Sequence, residues 1–345
     1  MIRRSRALAA ALLVAVLVTA GACSGSGSDK DDSTTKAGAN GAEVKKVTYL
    51  TGFGAVGRDA FAWVAKEKGY FQEAGLDVDI QKGAGNTQNL TLIKSGQAQF
   101  AAMDFSGGEV LSGLGKFTDW RAVAAVHQQT LVSIMTTKDT GITKPSDLAG
   151  KKIATATGSV SELLFPAYAK LAGVDPKTVT MQGAQTTALN GLMAQRKVDA
   201  LSTFLLSKKA LETASKKEVV VMPYSDYLGD LFGNVIVARE ELINSDKDEV
   251  KKFVGAILKG LQYSLDHPDE AAAILNKAEP TAKIPAAVAE INAMKPYTSP
   301  PNGAPLGYLD HERVVRSIAI LQGNGLMPAG LTPDKVADFS FVAPS

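Results

Sequence analysis

The stretch that decides the fold is residues 47–80, VTYLTGFGAVGRDAFAWVAKEKGYFQEAGLDVDI. Its β-branched opening, residues 47–50, predicts a strand, and the glycine-rich segment 52–57 predicts a loop. Residues 59–68 have the apolar spacing of an amphipathic helix, and residues 78–80 predict a second strand. A strand, a helix and a strand in succession are typical of α/β folds, in which helices cover the faces of a sheet.

The same alternation continues along the chain, while residues 247–345 are mostly helical and are interrupted by prolines. The sequence therefore predicts an α/β fold of mixed sheets flanked by helices. Sheets of this kind bind ligands at the carboxyl ends of their strands. Further strands are predicted at 100–103, 122–126, 131–136, 153–155, 179–180, 198–201, 219–221 and 234–238.

The first 22 residues have the three parts of an export signal. Three arginines precede the apolar run 7–18, which is too short to span a bilayer, and small residues follow at 19–22. Cys23 comes next, so the segment resembles a bacterial lipoprotein signal in which the thiol is lipidated, for example with palmitate. Ala20, three residues before Cys23, departs from the leucine that is usual there in lipoprotein signals. An ordinary secretory signal with an incidental cysteine is the alternative, and export by the Sec or the twin-arginine route is open.

Residues 23–46 predict a disordered tether, because glycine, serine, threonine and aspartate dominate them and no large apolar residue occurs before Val44. About 20 such residues reach roughly 25 Å on average. We therefore expect the folded part to be held at the outer face of the cell membrane and to turn freely.

Composition excludes several classes of function. The chain has 345 residues with 37 basic and 35 acidic side chains, and the first 22 residues hold three of the basic ones. The remainder is near neutral, which argues against nucleic acid as a partner. Cys23 is the single cysteine, so an internal disulfide and a thiolate metal cluster are both excluded.

Several short motifs resemble the substrate-binding proteins of ABC transporters, in the branch that handles aliphatic sulfonates, nitrate, taurine and thiamine-pyrimidine precursors. Each motif is weak alone, but their order and spacing over residues 47–341 are specific. They are VAKEKGYF at 64–71, AGL at 74–76, GAGN at 83–86, KSGQAQF at 94–100, PSDLAGKKI at 145–153 and LMAQRKVDA at 192–200.

The resemblance implies a two-lobed type II periplasmic-binding-protein fold. Residues 47–131 plus 235–345 would form lobe 1, residues 132–234 would form lobe 2, and two extended crossings would form the hinge. It also implies a monomeric receptor that closes on a small solute and docks on a membrane permease with its cytoplasmic ATPase. No cofactor and no metal are expected.

Two loops in lobe 1 carry the first candidate ligand contacts. Arg58 offers a bidentate fork to an anionic group, or it is a solvated surface residue. Asp59 either contacts the ligand or caps the helix that follows. Gly85, Asn86 and Thr87 open a helix whose free N–H groups favour negative or polarised oxygen, although Asn86 or Thr87 could be a plain cap.

The ends of two later strands in lobe 1 carry further candidates. Asp104 would accept from an amino N–H or a cation, or else Asp104 or Ser106 caps the next helix. His127 and Gln128 follow a strand and could hydrogen-bond a ligand near the hinge, although a lone histidine is more often structural. Phe53 could stack on a planar ligand, but a core role is the commoner one for an aromatic side chain.

Lobe 2 and the return crossing supply the remaining candidates. Thr157 and Ser159 lie at a helix start, where hydroxyls and backbone N–H groups could face the cleft or simply cap the helix. Thr203 ends a predicted strand, and Asn234 begins one at the crossing.

Three functions compete at this point. A solute receptor is favoured. The second is an enzyme of the thiamine-pyrimidine synthase branch, which relies on a cysteine-rich motif that this chain does not match. The third is a surface lipoprotein without a transport role, but no internal repeat supports it. Among solutes, Asp104 with aromatic neighbours fits a nitrogen heterocycle slightly better than one arginine fits a sulfonate, taurine or nitrate.

Overall fold

Ten strands form two five-stranded mixed sheets in the computed structural model, which describes residues 44–343. The first sheet has the order β2-β1-β3-β10-β4, and the second has the order β7-β6-β8-β5-β9. The strands are β1 Lys45–Leu50, β2 Leu76–Gln81, β3 Phe100–Asp104, β4 Trp120–Ala125, β5 Val132–Thr137, β6 Lys152–Ala156, β7 Thr180–Ala184, β8 Ala200–Phe204, β9 Val219–Pro223 and β10 Asn234–Arg239.

Twelve α-helices flank these sheets in the described part of the chain. They are α1 Ala60–Glu67, α2 Tyr70–Glu73, α3 Asn86–Lys94, α4 Phe105–Gly113, α5 Val160–Leu171, α6 Leu189–Ala194, α7 Lys208–Ser215, α8 Glu240–Ser245, α9 Lys247–Asp266, α10 Pro268–Ala278, α11 Ile284–Met294 and α12 His311–Gly323. The predicted α/β class and the helical C-terminal third are both confirmed.

The opening stretch folds as β1, α1 and β2, as its sequence pattern predicts. Gly69 and Gly75 take positive φ angles of 78° and 76°, which let the chain turn out of α1 and into β2. Helix α1 buries its apolar face against α9. A Cβ atom on Gly260 of α9 would lie 2.3 Å from the carbonyl oxygen of Phe61, so only glycine permits this close helix crossing.

The first strand begins earlier than the sequence pattern indicates. Lys45 and Lys46 lie within β1 and pair with Leu76 and Asp77 of β2, so they are not part of a tether. Lys45 also forms an ion pair with Asp246. Asn234 likewise lies in β10 of the first sheet, one residue beyond the predicted lobe boundary.

The chain passes between the two sheets twice, through residues 126–131 (the first crossing) and residues 224–233 (the second crossing). Arg313 of α12 holds both. Its guanidinium donates to Oε1 of Gln128 at 3.1 Å and to the carbonyl oxygen of Gly229 at 3.2 Å, and it lies 4.0 Å from the ring centroid of Phe232. The two crossings are therefore bonded through one buried side chain.

Candidate functional site

Strand order brings several predicted residues to one edge of the first sheet. Strands β1, β3 and β4 end at this edge, and β10, which runs antiparallel to β3 and β4, begins there. Asn234 pairs directly with Asp104 on one side. On its other side, the His127 amide donates to the Asn234 carbonyl oxygen at 2.9 Å. Asp104 and His127 therefore flank Asn234.

Two glycine-containing loops close over this edge and pair with each other. The Gly54 amide donates to the Gly83 carbonyl at 2.8 Å, and the Gly85 amide donates to the Gly52 carbonyl at 3.1 Å. A Cβ on Gly83 would lie 2.0 Å from the carbonyl oxygen of Thr51, so this approach requires glycine. Phe53, at the tip, remains 48% exposed and available at the rim.

Asn89, which was not among the residues predicted from the sequence, holds these loops to the sheet. It is fully buried on α3, and its side-chain amide donates to the carbonyls of Thr51 and Ala102, at 2.9 Å in each case. The available signal was an asparagine beside Leu90 on the apolar face of α3. A buried amide needs partners, so its presence there indicates a structural role.

Asn86 positions Asp104 instead of capping α3. Its amide nitrogen donates to the Asp104 carbonyl at 2.7 Å, and its oxygen accepts from the Asp104 amide at 3.1 Å. The predicted cap role of Asn86 or Thr87 is wrong, because Gly85 is the N-cap residue and no side chain caps α3. Thr87 is exposed on the first turn of that helix.

Asp104 does cap α4, which is one of the two roles predicted for it. Its Oδ1 accepts from the Gly107 amide at 3.0 Å, while its Oδ2 is buried and has no hydrogen-bond partner. Ser106, the alternative cap, is fully buried, and its hydroxyl lies 3.5 Å from the carbonyl oxygen of Phe232. The structure therefore leaves one oxygen of Asp104 unused.

Asp59 does not cap α1, so that interpretation is wrong. Its Oδ1 accepts from the Gly52 amide at 3.1 Å, which draws the loop after β1 onto the start of α1. The backbone amide of Arg58 donates to Glu290 of α11 at 3.3 Å. The Arg58 guanidinium lies 5.2 Å from the ring centroid of Phe204 at the end of β8, in the second sheet.

Four buried polar atoms at this edge lack a hydrogen-bond partner among the described residues: Arg58 Nε, Asp59 Oδ2, Asp104 Oδ2 and His127 Nε2. We call Arg58, Asp59, Asp104 and His127 the strand-end cluster. Nε of Arg58 lies 3.6 Å from Oδ2 of Asp59, which is ion-pair distance but long for a hydrogen bond. Buried polar groups are normally paired, so unpaired ones concentrated at one edge of a sheet indicate a missing partner.

Burial also shifts the titration of the strand-end cluster. It raises the pKa of the Asp104 carboxyl to about 7, against the opposing effect of the Gly107 and Ser106 amides. It raises the pKa of Asp59 as well, despite the Arg58 charge. The pKa of His127 is lowered to about 3, first by burial and then by Arg58, so the imidazole is neutral at ordinary pH.

The side chain of Gln128 is hydrogen-bonded within the structure around the first crossing. Its amide nitrogen donates to the Tyr308 carbonyl at 2.8 Å, and its oxygen accepts from Arg313. The side chain is buried, so its hydrogen-bonding capacity serves the first crossing and leaves little for a ligand.

The facing end of the second sheet presents hydroxyls that bond to one another. Ser159 Oγ lies 2.7 Å from Ser161 Oγ and accepts from the Glu162 amide at 3.3 Å. Ser159 therefore caps α5, which is one of the two roles predicted for it. Ser202 Oγ lies 2.7 Å from the Tyr224 hydroxyl. Thr157 is exposed, and the carbonyl oxygen of buried Thr203 lies 3.4 Å from Ser133 Oγ.

Other parts of the described chain contribute little to the candidate site. A surface hollow of about 580 Å³ lies at the opposite end of the first sheet, beside Arg239 at the end of β10. Within residues 44–343, no group of three or more histidine or acidic side chains is arranged to hold a metal ion. None of the described helices is both long and apolar enough to cross a bilayer. Cys23 and the predicted signal and tether lie outside the described residues, apart from the last residues of the tether.

Comparison with known proteins agrees with this architecture. The chain is 24% identical over 226 residues to a formylaminopyrimidine-binding protein of Halalkalibacterium halodurans, covering 65% of this chain and 68% of that one. It is 26% identical over 214 residues to the riboflavin-binding protein RibY of Chloroflexus aurantiacus, covering 61% and 59%.

Among solved structures, the periplasmic aliphatic sulphonate binding protein SsuA of Escherichia coli superimposes with a TM-score of 0.69 at 15% identity, covering 87% of this chain and 93% of that one. This likeness shows that the two proteins share a fold. The model of the family described as NMT1/THI5 like matches residues 59–271, which is more than half of the chain. The protein therefore belongs to the NMT1/THI5-like family.

Proposed function

We propose that this protein is the extracytoplasmic solute-binding component of an ABC importer. It would capture a small polar organic solute between two lobes and deliver it to a membrane permease. The single observation that carries the proposal is the strand-end cluster, whose buried donors and acceptors lack partners at the edge where α/β sheets bind ligands. Family membership and the binding proteins among its relatives support the same role.

With Lys45, Lys46 and Asn234 in the first sheet, the two lobes of the proposal are residues 45–131 plus 234–345 and residues 132–233, and the two crossings connect them. Asp59 and His127 are each 1% exposed and Asp104 is 6% exposed, so a ligand reaches them only if the lobes separate. Helix α11 packs on both the Gly57–Asp59 turn and the Leu205–Ser207 turn, one from each lobe. Ligand would favour the closed arrangement by its differential affinity for it.

A nitrogen heterocycle fits the strand-end cluster better than a sulfonate, taurine or nitrate does. Arg58 is the one cation in the cluster, and Asp59, Asp104 and Glu290 of α11 lie around it. A second negative charge from a ligand would meet this acidic surrounding in a medium of low dielectric constant. A ligand that donates as well as accepts would satisfy both kinds of unpaired atom.

The proposed role is one of binding without chemistry, at the outer face of the membrane. Export by the N-terminal signal and anchoring through lipid on Cys23 complete the proposal, with the protein acting as a monomer. Mass spectrometry of membrane-extracted protein tests whether Cys23 carries lipid. In cell fractionation, Cys23→Ala should release the chain from the membrane fraction. An unlipidated wild-type chain would contradict the anchor without touching the solute-binding role.

Thermal unfolding of the purified protein tests the function itself. A solute at 100 times its Kd stabilises the folded state by about 2.7 kcal/mol. We expect this from an aminopyrimidine, and no shift from an alkanesulfonate, taurine or nitrate. Amino acids and riboflavin complete the panel, and chromatography of each mixture detects turnover. Stabilisation by a sulfonate alone would overturn the heterocycle preference, conversion of any compound would overturn the non-catalytic role, and an unresponsive protein would overturn solute binding.

A further inference from the structure

The histidine of the strand-end cluster has a fixed proton position. Nδ1 of His127 accepts the backbone N–H of Asn234 at 3.2 Å, so Nδ1 carries no proton. The ring is neutral at ordinary pH because burial lowers its pKa to about 3. The remaining proton must therefore lie on Nε2, which is buried without a partner. His127 presents one N–H donor with a defined tautomer.

Asp104 presents the complementary group. Its Oδ1 accepts from the Gly107 amide, and the Asn86 side chain hydrogen-bonds to both the backbone amide and the carbonyl oxygen of Asp104. These bonds fix the carboxyl group, because the Gly107 amide bonds to the side chain of Asp104 while the Asn86 side chain bonds to its backbone. Oδ2 is left as a fixed acceptor, buried and unpaired.

The separation of the two groups suits one small ring. Asp104 and His127 lie on either side of Asn234, and neighbouring strands are about 4.8 Å apart, so their backbones are separated by roughly 10 Å. A six-membered ring with one exocyclic group matches that scale.

Building on the proposed solute-binding role, we propose that His127 and Asp104 form a donor–acceptor pair that determines ligand specificity. The pair selects a heterocycle that offers a ring acceptor to His127 and an N–H donor to Asp104, as an amino-substituted pyrimidine does. A ligand with acceptors alone leaves the Asp104 oxygen unpaired and directs its own lone pairs at it. A site built to bond an N–H group rejects analogues that lack it far more strongly than an apolar pocket would.

The cap makes a sharp test possible. In Asp104→Asn the side-chain oxygen is needed by the Gly107 amide, so the new NH2 group takes the place of Oδ2 and turns the acceptor into a donor. The cap itself is kept, and the fold with it. The probes are 4-amino-2-methylpyrimidine and 4-methoxy-2-methylpyrimidine, in which an ether oxygen replaces the amino donor and both ring nitrogens remain acceptors.

Binding of both probes is measured by isothermal titration calorimetry at about pH 8.5, where the Asp104 carboxyl with its pKa of about 7 is ionised. We expect the wild type to prefer the amino probe by about 100-fold or more. Asp104→Asn should abolish or reverse the preference. His127→Phe should weaken both probes, because each keeps a ring acceptor. The matched control, Asp248→Asn on the exposed surface of α9, should leave the preference unchanged.

Each result decides the specificity pair separately from the solute-binding role. Retention of the amino preference in Asp104→Asn, or unchanged affinity in His127→Phe, would overturn the pair. A wild type that binds neither probe also overturns the pair. Solute binding would survive all three results if another compound of the panel stabilises the protein.

Discussion

The two facing ends of the sheets differ in how their polar groups are satisfied. At the first sheet, the strand-end cluster buries two donors and two acceptors without hydrogen-bond partners. At the second sheet, the hydroxyls of Ser159, Ser161, Ser202 and Tyr224 bond to one another. The first end leaves ionisable groups unpaired, whereas these hydroxyls at the second end are paired, and in the second lobe the Tyr168 hydroxyl beside Tyr224 also has no hydrogen-bond partner among the described residues.

The difference assigns unequal roles to the two lobes. Buried unpaired groups cost stability until a ligand satisfies them, so the first lobe would distinguish one solute from another. The second lobe brings Phe204 over Arg58 and would cover the ligand. Specificity and closure would therefore be separable by mutation.

Arg58→Ala should have the largest effect on stability. It removes the charge 3.6 Å from Asp59 and leaves a buried carboxylate uncompensated, which we expect to lower the free energy of unfolding by about 3 kcal/mol. Urea denaturation measures this loss in the free energy of unfolding. Adding Asp59→Asn should recover at least half of the loss. Arg316→Ala removes an exposed arginine 3.1 Å from Asp230 and should cost less than about 1 kcal/mol. Equal losses in both arginine variants would break the comparison.

Glu109→Gln should show how much stability the first lobe loses when the buried Glu109 carboxyl ionises. Burial raises the pKa of Glu109 to about 8, and Ser317 Oγ donates to it at 2.6 Å. The folded state thus holds this proton more tightly than the unfolded state, so the stability from protonation is complete below about pH 4.5 and is lost as pH rises through 8. Glutamine keeps an acceptor for Ser317 and carries no charge.

The variant should therefore match the wild type near pH 4.5 and exceed its unfolding free energy by about 2 kcal/mol near pH 9. Denaturation across this range measures the difference. A difference for Glu109→Gln that stays flat from pH 4.5 to 9 would contradict the buried-acid interpretation.

The fold could be predicted from sequence further than the site could. Strand and helix periodicity is local, so β1, α1 and β2 were predictable, and strand ends could be located at Asp104 and near His127. The partners of these residues come from distant parts of the chain. The backbone N–H of Asn234 donates to His127 from 107 residues away, and Arg313 donates to Gln128 from 185 residues away. No local pattern contains that information.

Phe204→Leu should weaken ligand binding through closure instead of recognition. Leucine keeps much of the apolar bulk but removes the aromatic face 5.2 Å from the Arg58 guanidinium. A desolvated cation–π contact contributes about 1–2 kcal/mol, so affinity for 4-amino-2-methylpyrimidine should fall about tenfold. The ratio between the affinities for the amino and methoxy probes should stay constant. A change in that ratio would show that the second lobe also reads the ligand.

Ser159→Ala should have the smallest effect on binding. The substitution removes the cap on the Glu162 amide, which should cost about 1 kcal/mol of stability. Affinity should change by less than about twofold, because the hydroxyl is already bonded within the second lobe and ligand binding gains nothing from it. Thr157→Ala, at an exposed hydroxyl two residues earlier, controls for position and should alter neither quantity. A loss of affinity in Ser159→Ala that exceeds its loss of stability would mean that the hydroxyl network opens to the ligand, and the two lobes would then share recognition.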